Sequence, residues 1–259
     1  MSVPIPVPEI EAHRGSSCDC PENTMAAFRR AVEVGAPSIE LDIHECRDGE
    51  LVVMHDPSVD RTTDGKGAIA DLTLGALRRL DCGRWRGEAF AGERIPTLEE
   101  VLAFVAPRNV RLNVEVKAFG PASDAPRRLV ALLGRYVAAS GPHVVSSFAV
   151  DALLSVRAAG EGVPLAVLGN APEILPSVRQ QRFAWMHAAF RTLSAELAAA
   201  AQGDGIRVMV WTLNQPELLP YYAQLGVRKV CTDCPEAMGR ALAAWREQAA
   251  QTALRNGSC

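Results

Sequence analysis

The sequence predicts an α/β protein, a closed (β/α)8 barrel with a small insertion after the second strand. Three observations lead there. Short strand-like runs alternate with helical stretches eight times along the chain. The length of 259 residues suits the roughly 250 residues of such a barrel, and 48% hydrophobic content supplies a large core. No G-x-G-x-x-G run follows the first strand, which counts against a doubly wound dinucleotide-binding sheet.

The first strand is short, Ile10-Glu11-Ala12-His13, and ends on a histidine. Met25, Phe28 and Val32 then recur at helical spacing over 24–34. Asn23 or Thr24 caps that helix and Gly35 closes it. Residues 38–44 alternate, with Ile39, Leu41 and Ile43 on one face and Glu40, Asp42 and His44 on the other, the period of a strand. Arg47 to Glu50 turns the chain, and the apolar run 51–54 pairs back as a hairpin. Residues 57–94 break the rhythm with a polar, glycine-containing stretch from Arg61 to Gly67, a helical patch over 74–80 and turns near Trp85. They read as an inserted subdomain within a single domain spanning 1–259. Thr97 and Glu100 stand at capping-box spacing before Leu98, Val101 and Leu102. From there the alternation is regular. Strands are expected over 110–116, 143–147, 164–168, 184–187, 207–212 and 229–232. Helices are expected over 125–139, 150–159, 172–180, 194–202, 216–225 and 235–251. With 10–13 and 38–44 this makes eight strand–helix units, the signature of a parallel sheet.

The net charge of −3 is mild. Without a strongly basic tract the sequence gives no reason to expect nucleic acid as a partner, and Arg78-Arg79 and Arg127-Arg128 read as solvated helix faces. No apolar run reaches the ~20 residues of a bilayer span. The first eight residues are proline-rich and lack the basic-then-apolar order of a secretory signal. A cytoplasmic location without stable membrane association is therefore expected, and a homo-oligomer stays open. Seven cysteines, an odd number, argue against a disulfide scaffold. The close pairs Cys18/Cys20 and Cys231/Cys234 imitate a zinc site poorly, since one spacing is too tight and Pro235 follows Cys234. They read as reduced loop thiols. The alternative is that the loops after strands one and eight meet and that their thiols can oxidise.

Barrel enzymes carry their sites at the C-terminal ends of the strands, and the unusual polar residues fall there. His13 closes the first strand, Glu40 and Asp42 lie on the second, and Glu115 and Lys117 close the third. Trp211 and Asn214 follow the seventh, and Asp233 follows the eighth. Residues two apart share a strand face, so Glu40 pairs with Asp42 and Glu115 with Lys117. Charges aimed into an apolar barrel are costly unless paired or metal-bound. Three carboxylates form a hard oxygen set suited to one divalent cation, Mg2+ or Ca2+. Arg14 and Lys117 are candidates to bind phosphate. His13 and His55 are candidates for general acid and base near neutral pH. The inventory points to metal-assisted phosphodiester hydrolysis. His44, His143 and His187 read as surface or hydrogen-bonded structural residues, and Asp56 and Arg61 as loop anchors rather than catalysts.

The motifs are His13-Arg14-Gly15, Pro21-Glu22-Asn23-Thr24, Glu40-Leu41-Asp42, Val53-Met54-His55-Asp56, Arg61-Thr62-Thr63, Ile95-Pro96-Thr97-Leu98, Glu115-Val116-Lys117, Ser146-Ser147-Phe148, Trp211-Thr212 and Thr232-Asp233. Through them the chain resembles the glycerophosphodiester phosphodiesterase family, as a short bacterial-type member, over about 9–245. The resemblance implies a TIM barrel with a small inserted subdomain. It implies metal ligation by Glu40, Asp42 and Glu115, acid–base roles for His13 and His55, phosphate binding by Arg14 and Lys117, and a substrate-side role for Trp211. The implied reaction releases sn-glycerol 3-phosphate and an alcohol from a small-molecule diester. The stretch Ser16 to Cys20 is unusual beside these motifs and is expected at the pocket mouth. Three alternatives stand beside this reading. They are lysophospholipase D-type cleavage of lysophospholipids, a non-catalytic barrel that binds phosphorylated ligands, and a metal-dependent barrel aldolase or isomerase.

Overall fold

The structure, a computed structural model, describes residues 7–117, 119–120 and 123–256, with side chains as far as residue 248. Most of the N-terminal stretch read as lacking a signal (1–6) and Cys259 lie outside the described residues. The strands are β1 (Glu9–His13), β2 (Ser38–Glu45), β3 (Leu51–Val53), β4 (Arg111–Val116), β5 (Val144–Ser147), β6 (Leu165–Gly169), β7 (Trp185–Ala189), β8 (Arg207–Trp211) and β9 (Lys229–Thr232). Eight of them pair in parallel in the order β1-β2-β4-β5-β6-β7-β8-β9, and β1 pairs with β9 to close the ring. Strand β3 is the hairpin partner of β2, antiparallel, with Ile43 opposite Val53. The expected barrel and hairpin are both present.

The helices are α1 (Met25–Glu33), α2 (Leu74–Leu77), α3 (Leu98–Val105), α4 (Ala125–Arg135), α5 (Val150–Ala159), α6 (Ala171–Gln181), α7 (Ala195–Gly203), α8 (Leu219–Gln224) and α9 (Pro235–Asn256). Of the two candidate caps of α1, Thr24 takes the role, its hydroxyl accepting from the Ala27 N–H. The capping box of Thr97 and Glu100 is complete. Helix α4 stops at Arg135, short of the expected 139. Tyr136 leaves helical geometry (φ −111°, ψ 47°), and its carbonyl accepts from His143 Nε2 at 2.6 Å. Because His143 Nδ1 also accepts from the Leu112 N–H at 2.9 Å, the ring is neutral and pinned between two backbone groups. The expected helix over 216–225 begins as a 3-10 turn, Pro216–Leu218, before α8.

Packing follows from the strand period. Ile39, Leu41 and Ile43 face outward and are fully buried beneath the helices, beside Phe28, Leu98, Leu102 and Leu129. Each such side chain contributes about 1.5–3 kcal/mol by leaving water. The barrel interior was expected to be apolar, and only part of it is. Val144, Ala166, Trp185, Met209 and Cys231 form an inner apolar cluster. Beside it, Glu11, Ser38, Asn113, His187 and Lys229 are buried polar groups. Lys229 Nζ lies 2.7 Å from Glu11 Oε2 and 3.2 Å from Ser38 Oγ, and Asn113 Nδ2 donates to Glu11 Oε1 at 2.9 Å. Burial alone would raise the Glu11 carboxyl, but the Lys229 charge and hydrogen bonds from Lys229 and Ser38 hold it below its ordinary value. The pairing is what makes buried charge tolerable here. Residues 57–94 contribute to a separate apolar cluster. Val59, Ile69, Leu77 and Cys82 pack on Cys46, Val52, Met54 and Ile95, against the β2–β3 hairpin.

Candidate active site

The turn after β1 sets the site. Arg14 (φ 56°) and Gly15 (φ 83°) both take left-handed backbone. A Cβ on Gly15 would lie 2.7 Å from the Ala27 backbone, so glycine alone fits. This turn aims the Arg14 N–H at Glu40 Oε2, 3.0 Å away. On β2, Glu40 and Asp42 share the inward face, and Glu115 on β4 stands in register beside Asp42. One oxygen from each of the three carboxylates falls within 4.8 Å of the others, and all three residues are buried.

Electrostatics argue that this trio fits a cation. Burial raises the Glu40 carboxyl well above its ordinary value, and repulsion from Asp42 and Glu115 adds to it. Burial and Asp42 also raise Glu115. Asp42 runs the other way. Burial would raise it, but the charges of Lys117 and Arg14 bring it below its usual value. Lys117 Nζ lies 2.6 Å from Asp42 Oδ1 and also contacts Glu115. Asn23, in left-handed backbone, donates to Asp42 Oδ2 at 2.8 Å. Glu40 Oε1 is buried with no hydrogen-bond partner. An orphaned oxygen amid mutually repelling buried carboxylates is the donor chemistry that a hard divalent ion satisfies.

Each candidate acid–base histidine has a carboxylate behind it. His13 Nδ1 lies 2.6 Å from Asp233 Oδ1. Asp233 also accepts from Asn214 Nδ2 (2.6 Å) and Ser17 Oγ (3.2 Å). Burial would raise Asp233, but these bonds bring it down to about 2. His55 Nδ1 lies 2.7 Å from Asp56 Oδ1. Arg61 grips Asp56 with Nε (2.7 Å) and Nη2 (3.0 Å), and reaches Glu22 with both terminal nitrogens. Glu22 in turn accepts from Arg14 Nη1 at 2.8 Å. Asp56 and Arg61, read from sequence as loop anchors, therefore stand directly behind His55. The adjacency of positions 55 and 56 was the available signal. The expected closed barrel already made the strands ending at 13 and 232 neighbours, but it did not single out this contact. Glu22 and Asn23 were noted within a motif, Asn23 also as a candidate cap, and Ser17 in the stretch expected at the mouth, but none was given these contacts.

His13, Arg14, Glu40, His55, Glu115 and Lys117 line one cavity of about 110 Å³, with Asp42 behind Lys117. Trp211 and Phe148 form its apolar wall, their rings edge-on at 5.5 Å. Trp211 is fixed by its Nε1–H, which donates to the His187 carbonyl at 2.8 Å. The eight candidate site residues, His13, Arg14, Glu40, Asp42, His55, Glu115, Lys117 and Trp211, are thus brought to one end of the barrel. Phe148, 55% exposed, is an addition beyond the motif in which it was noted. His187 is neither surface nor hydrogen-bonded through its ring. It is buried with Nδ1 unpartnered, and burial depresses it to about 3. The loops after β1 and β9 do meet, with the Cys18 N–H donating to the Asp233 carbonyl at 3.0 Å. The six described cysteines are free thiols. Burial, with a contact to the Cys234 thiol, pushes the Cys18 thiol up.

A closed parallel barrel with an acidic, cation-ready centre flanked by two carboxylate-backed histidines defines a (β/α)8-barrel enzyme. The chain belongs to the glycerophosphoryl diester phosphodiesterase family, whose model matches residues 13–237. It is 35% identical to a glycerophosphodiester phosphodiesterase of Caldanaerobacter subterraneus subsp. tengcongensis over 233 residues, 88% of this chain and 94% of that one. It is 33% identical to glycerophosphodiester phosphodiesterase 1 of Bos taurus, covering 82% of this chain and 73% of that one. Among solved structures it superposes with a TM-score of 0.83 and 28% identity on a phosphodiesterase from Oleispira antarctica in complex with the product sn-glycerol-3-phosphate, covering 91% of this chain and 97% of that one. No helix among the described residues is long and apolar enough to cross a membrane.

Proposed function

We propose that this protein hydrolyses glycerophosphodiesters to sn-glycerol 3-phosphate and an alcohol, with one divalent cation, Mg2+ or Ca2+, held by Glu40, Asp42 and Glu115. The observation that carries the reading is the pair of histidines, each backed by an aspartate, lining one cavity with the three carboxylates. The product complex described for the Oleispira antarctica relative supports the choice of product.

When bound, the cation neutralises phosphoryl charge and fixes the diester in place. Arg14 and Lys117 bind the remaining phosphate oxygens, Arg14 through its planar fork. Glu22 holds Arg14 from behind and is itself held by Arg61. Asp233 and Asp56 occupy Nδ1 of their histidines, which leaves each Nε2 as the working nitrogen. One imidazole takes the proton from the attacking oxygen as its bond to phosphorus forms. The other delivers a proton to the departing alkoxide as that P–O bond breaks. Trp211 packs along the glycerol carbons, and the alcohol arm leaves toward the mouth.

The exposed Phe148 ring beside Trp211 favours one second reading, cleavage of lysophospholipids, because it extends the apolar wall to the cavity mouth. The test compares glycerophosphocholine, lysophosphatidylcholine and bis(p-nitrophenyl) phosphate, each with Mg2+, Ca2+ and a chelator. Preference for glycerophosphocholine is expected. Preference for the lysolipid would select the second reading, and equal rates on the glycerol-free diester would remove glycerol recognition.

A further inference from the structure

The opposite end of the barrel carries a second concentration of charge that the proposed chemistry does not use. Glu9, Arg111, Trp185, Arg207 and Lys229 are the first residues of β1, β4, β7, β8 and β9, and Arg228 immediately precedes β9. The parallel strands therefore bring all of them to the N-terminal rim. Together they line a hollow of about 320 Å³, within the range of small-molecule sites.

The charges there do not balance. Arg111 is ion-paired with Glu9. Lys229 is turned inward and neutralised by Glu11. Arg207 and Arg228 have no carboxylate within 4.0 Å among the described residues, although they stand close enough for the charge of Arg228 to depress Arg207, behind the larger effect of burial. Arg207 is held in this position by the Trp185 ring, its guanidinium carbon 4.6 Å from the ring centre. A cation–π contact of this kind fixes a guanidinium without neutralising it. Both guanidinium groups are exposed, so solvent screens their repulsion, and an anion seated between them would meet both charges.

Two residues that line the hollow each carry a donor without an acceptor. The indole Nε1 of Trp185, a residue only 6% exposed, is buried without an acceptor. Arg111 Nε is also buried without one. Buried polar groups are normally satisfied, so unmet N–H donors beside uncompensated guanidinium groups describe an acceptor-rich, negatively charged ligand. Guanidinium groups match phosphate oxygens in planar, paired geometry.

We propose that the hollow at the N-terminal rim is a second oxyanion site, taking phosphate or the phosphoryl group of a small phosphorylated molecule on Arg207 and Arg228. It lies at the far end of the strands from the carboxylate trio and is separate from the proposed catalysis.

Isothermal titration calorimetry of the full chain with inorganic phosphate, and separately with sn-glycerol 3-phosphate, tests this. The parent should show two classes of site. Arg228→Ala should lose one class, with affinity at that site falling at least tenfold, and keep the other. Arg228 is not stacked on Trp185, so this variant leaves the Arg207 contact in place. Arg207→Ala/Arg228→Ala should lose the same class completely. Loss in both titrations identifies a shared phosphoryl group as the ligand, and loss with inorganic phosphate alone identifies the free ion. Turnover of glycerophosphocholine by Arg228→Ala should stay within about twofold of the parent. Superimposable isotherms for parent and both variants would overturn the proposal.

Discussion

His13 Nδ1 and Asp233 Oδ1 lie 2.6 Å apart although 220 positions separate them in the chain. The contact exists because β1 and β9 are neighbours in the closed ring, with Ala12 opposite Thr232. It leaves His13 Nε2 free on the cavity side, 4.0 Å from Glu40 Oε2.

The first prediction concerns that contact. His13→Ala and His55→Ala should each lower kcat by roughly 10²–10⁴-fold, the range for losing a general acid or base. Asp233→Asn and Asp56→Asn keep the imidazoles but lose the carboxylates that orient them, and should also lower kcat. The pH–rate profile of each Asn variant should shift, while KM changes little. Parent-like kcat and pH profile in Asp233→Asn would make that contact merely structural.

Cation dependence is the second. Chelation should abolish turnover, and Mg2+ or Ca2+ should restore it. The added ion should also raise the thermal midpoint, since it joins three carboxylates that repel one another. Glu40→Gln, Asp42→Asn or Glu115→Gln should erase that thermal gain while the circular dichroism spectrum persists. Full activity in a metal-stripped sample would contradict the assignment.

Stability should depend on His187. Burial holds its folded pKa near 3, against about 6.5 for an unfolded histidine. Between those values the unfolded chain takes up a proton that the folded chain refuses. Stability contributed by the neutral ring is therefore present above about pH 6.5 and falls as pH drops toward 3, by about 1.4 kcal/mol per pH unit in mid-window. His143 and His44 are also depressed, first by burial, and steepen the same slope. Urea unfolding at several pH values should show a shallower dependence for His187→Phe. Parallel curves for parent and variant would refute the buried neutral ring.

Trp211 gives the fourth. Its ring is fixed by the His187 carbonyl and by Phe148, and makes no hydrogen bond to the carboxylate trio. Trp211→Ala should raise KM for glycerophosphocholine by roughly tenfold, the scale of one lost apolar contact of about 1.4 kcal/mol. Cation affinity should be unchanged. A fall in cation affinity with KM intact would place Trp211 in a different role.

Much of this was legible in the chain. The alternation of Glu40, Leu41 and Asp42 states that two carboxylates share a face, because side chains alternate along any strand. Eight strand–helix repeats state that β2 and β4 run parallel, which sets Glu115 beside Asp42. The capping box at Thr97 and the hairpin after Glu45 are local and could be read locally. The end of α4 could not, because it is decided by His143 taking the Tyr136 carbonyl from another element.

The sequence alone therefore determined the barrel, its hairpin and the end of the barrel where Glu40, Asp42, Glu115, His13, His55, Arg14, Lys117 and Trp211 gather, since each depends on short-range periodicity. Tertiary structure decided the partners. Asp233 reaches His13 only because the ring closes, and Arg61 reaches Asp56 and Glu22 only because the 57–94 segment folds back beside α1's leading turn. Ring closure likewise puts Glu11 and Lys229 face to face in an interior that periodicity marks only as buried. The pairing of β8 with β9 gathers Arg207 and Arg228 on one rim. Hydrogen bonds and charge pairs act over a few ångströms whatever the separation along the chain, so closure of the barrel, and no local pattern, determines which of them form.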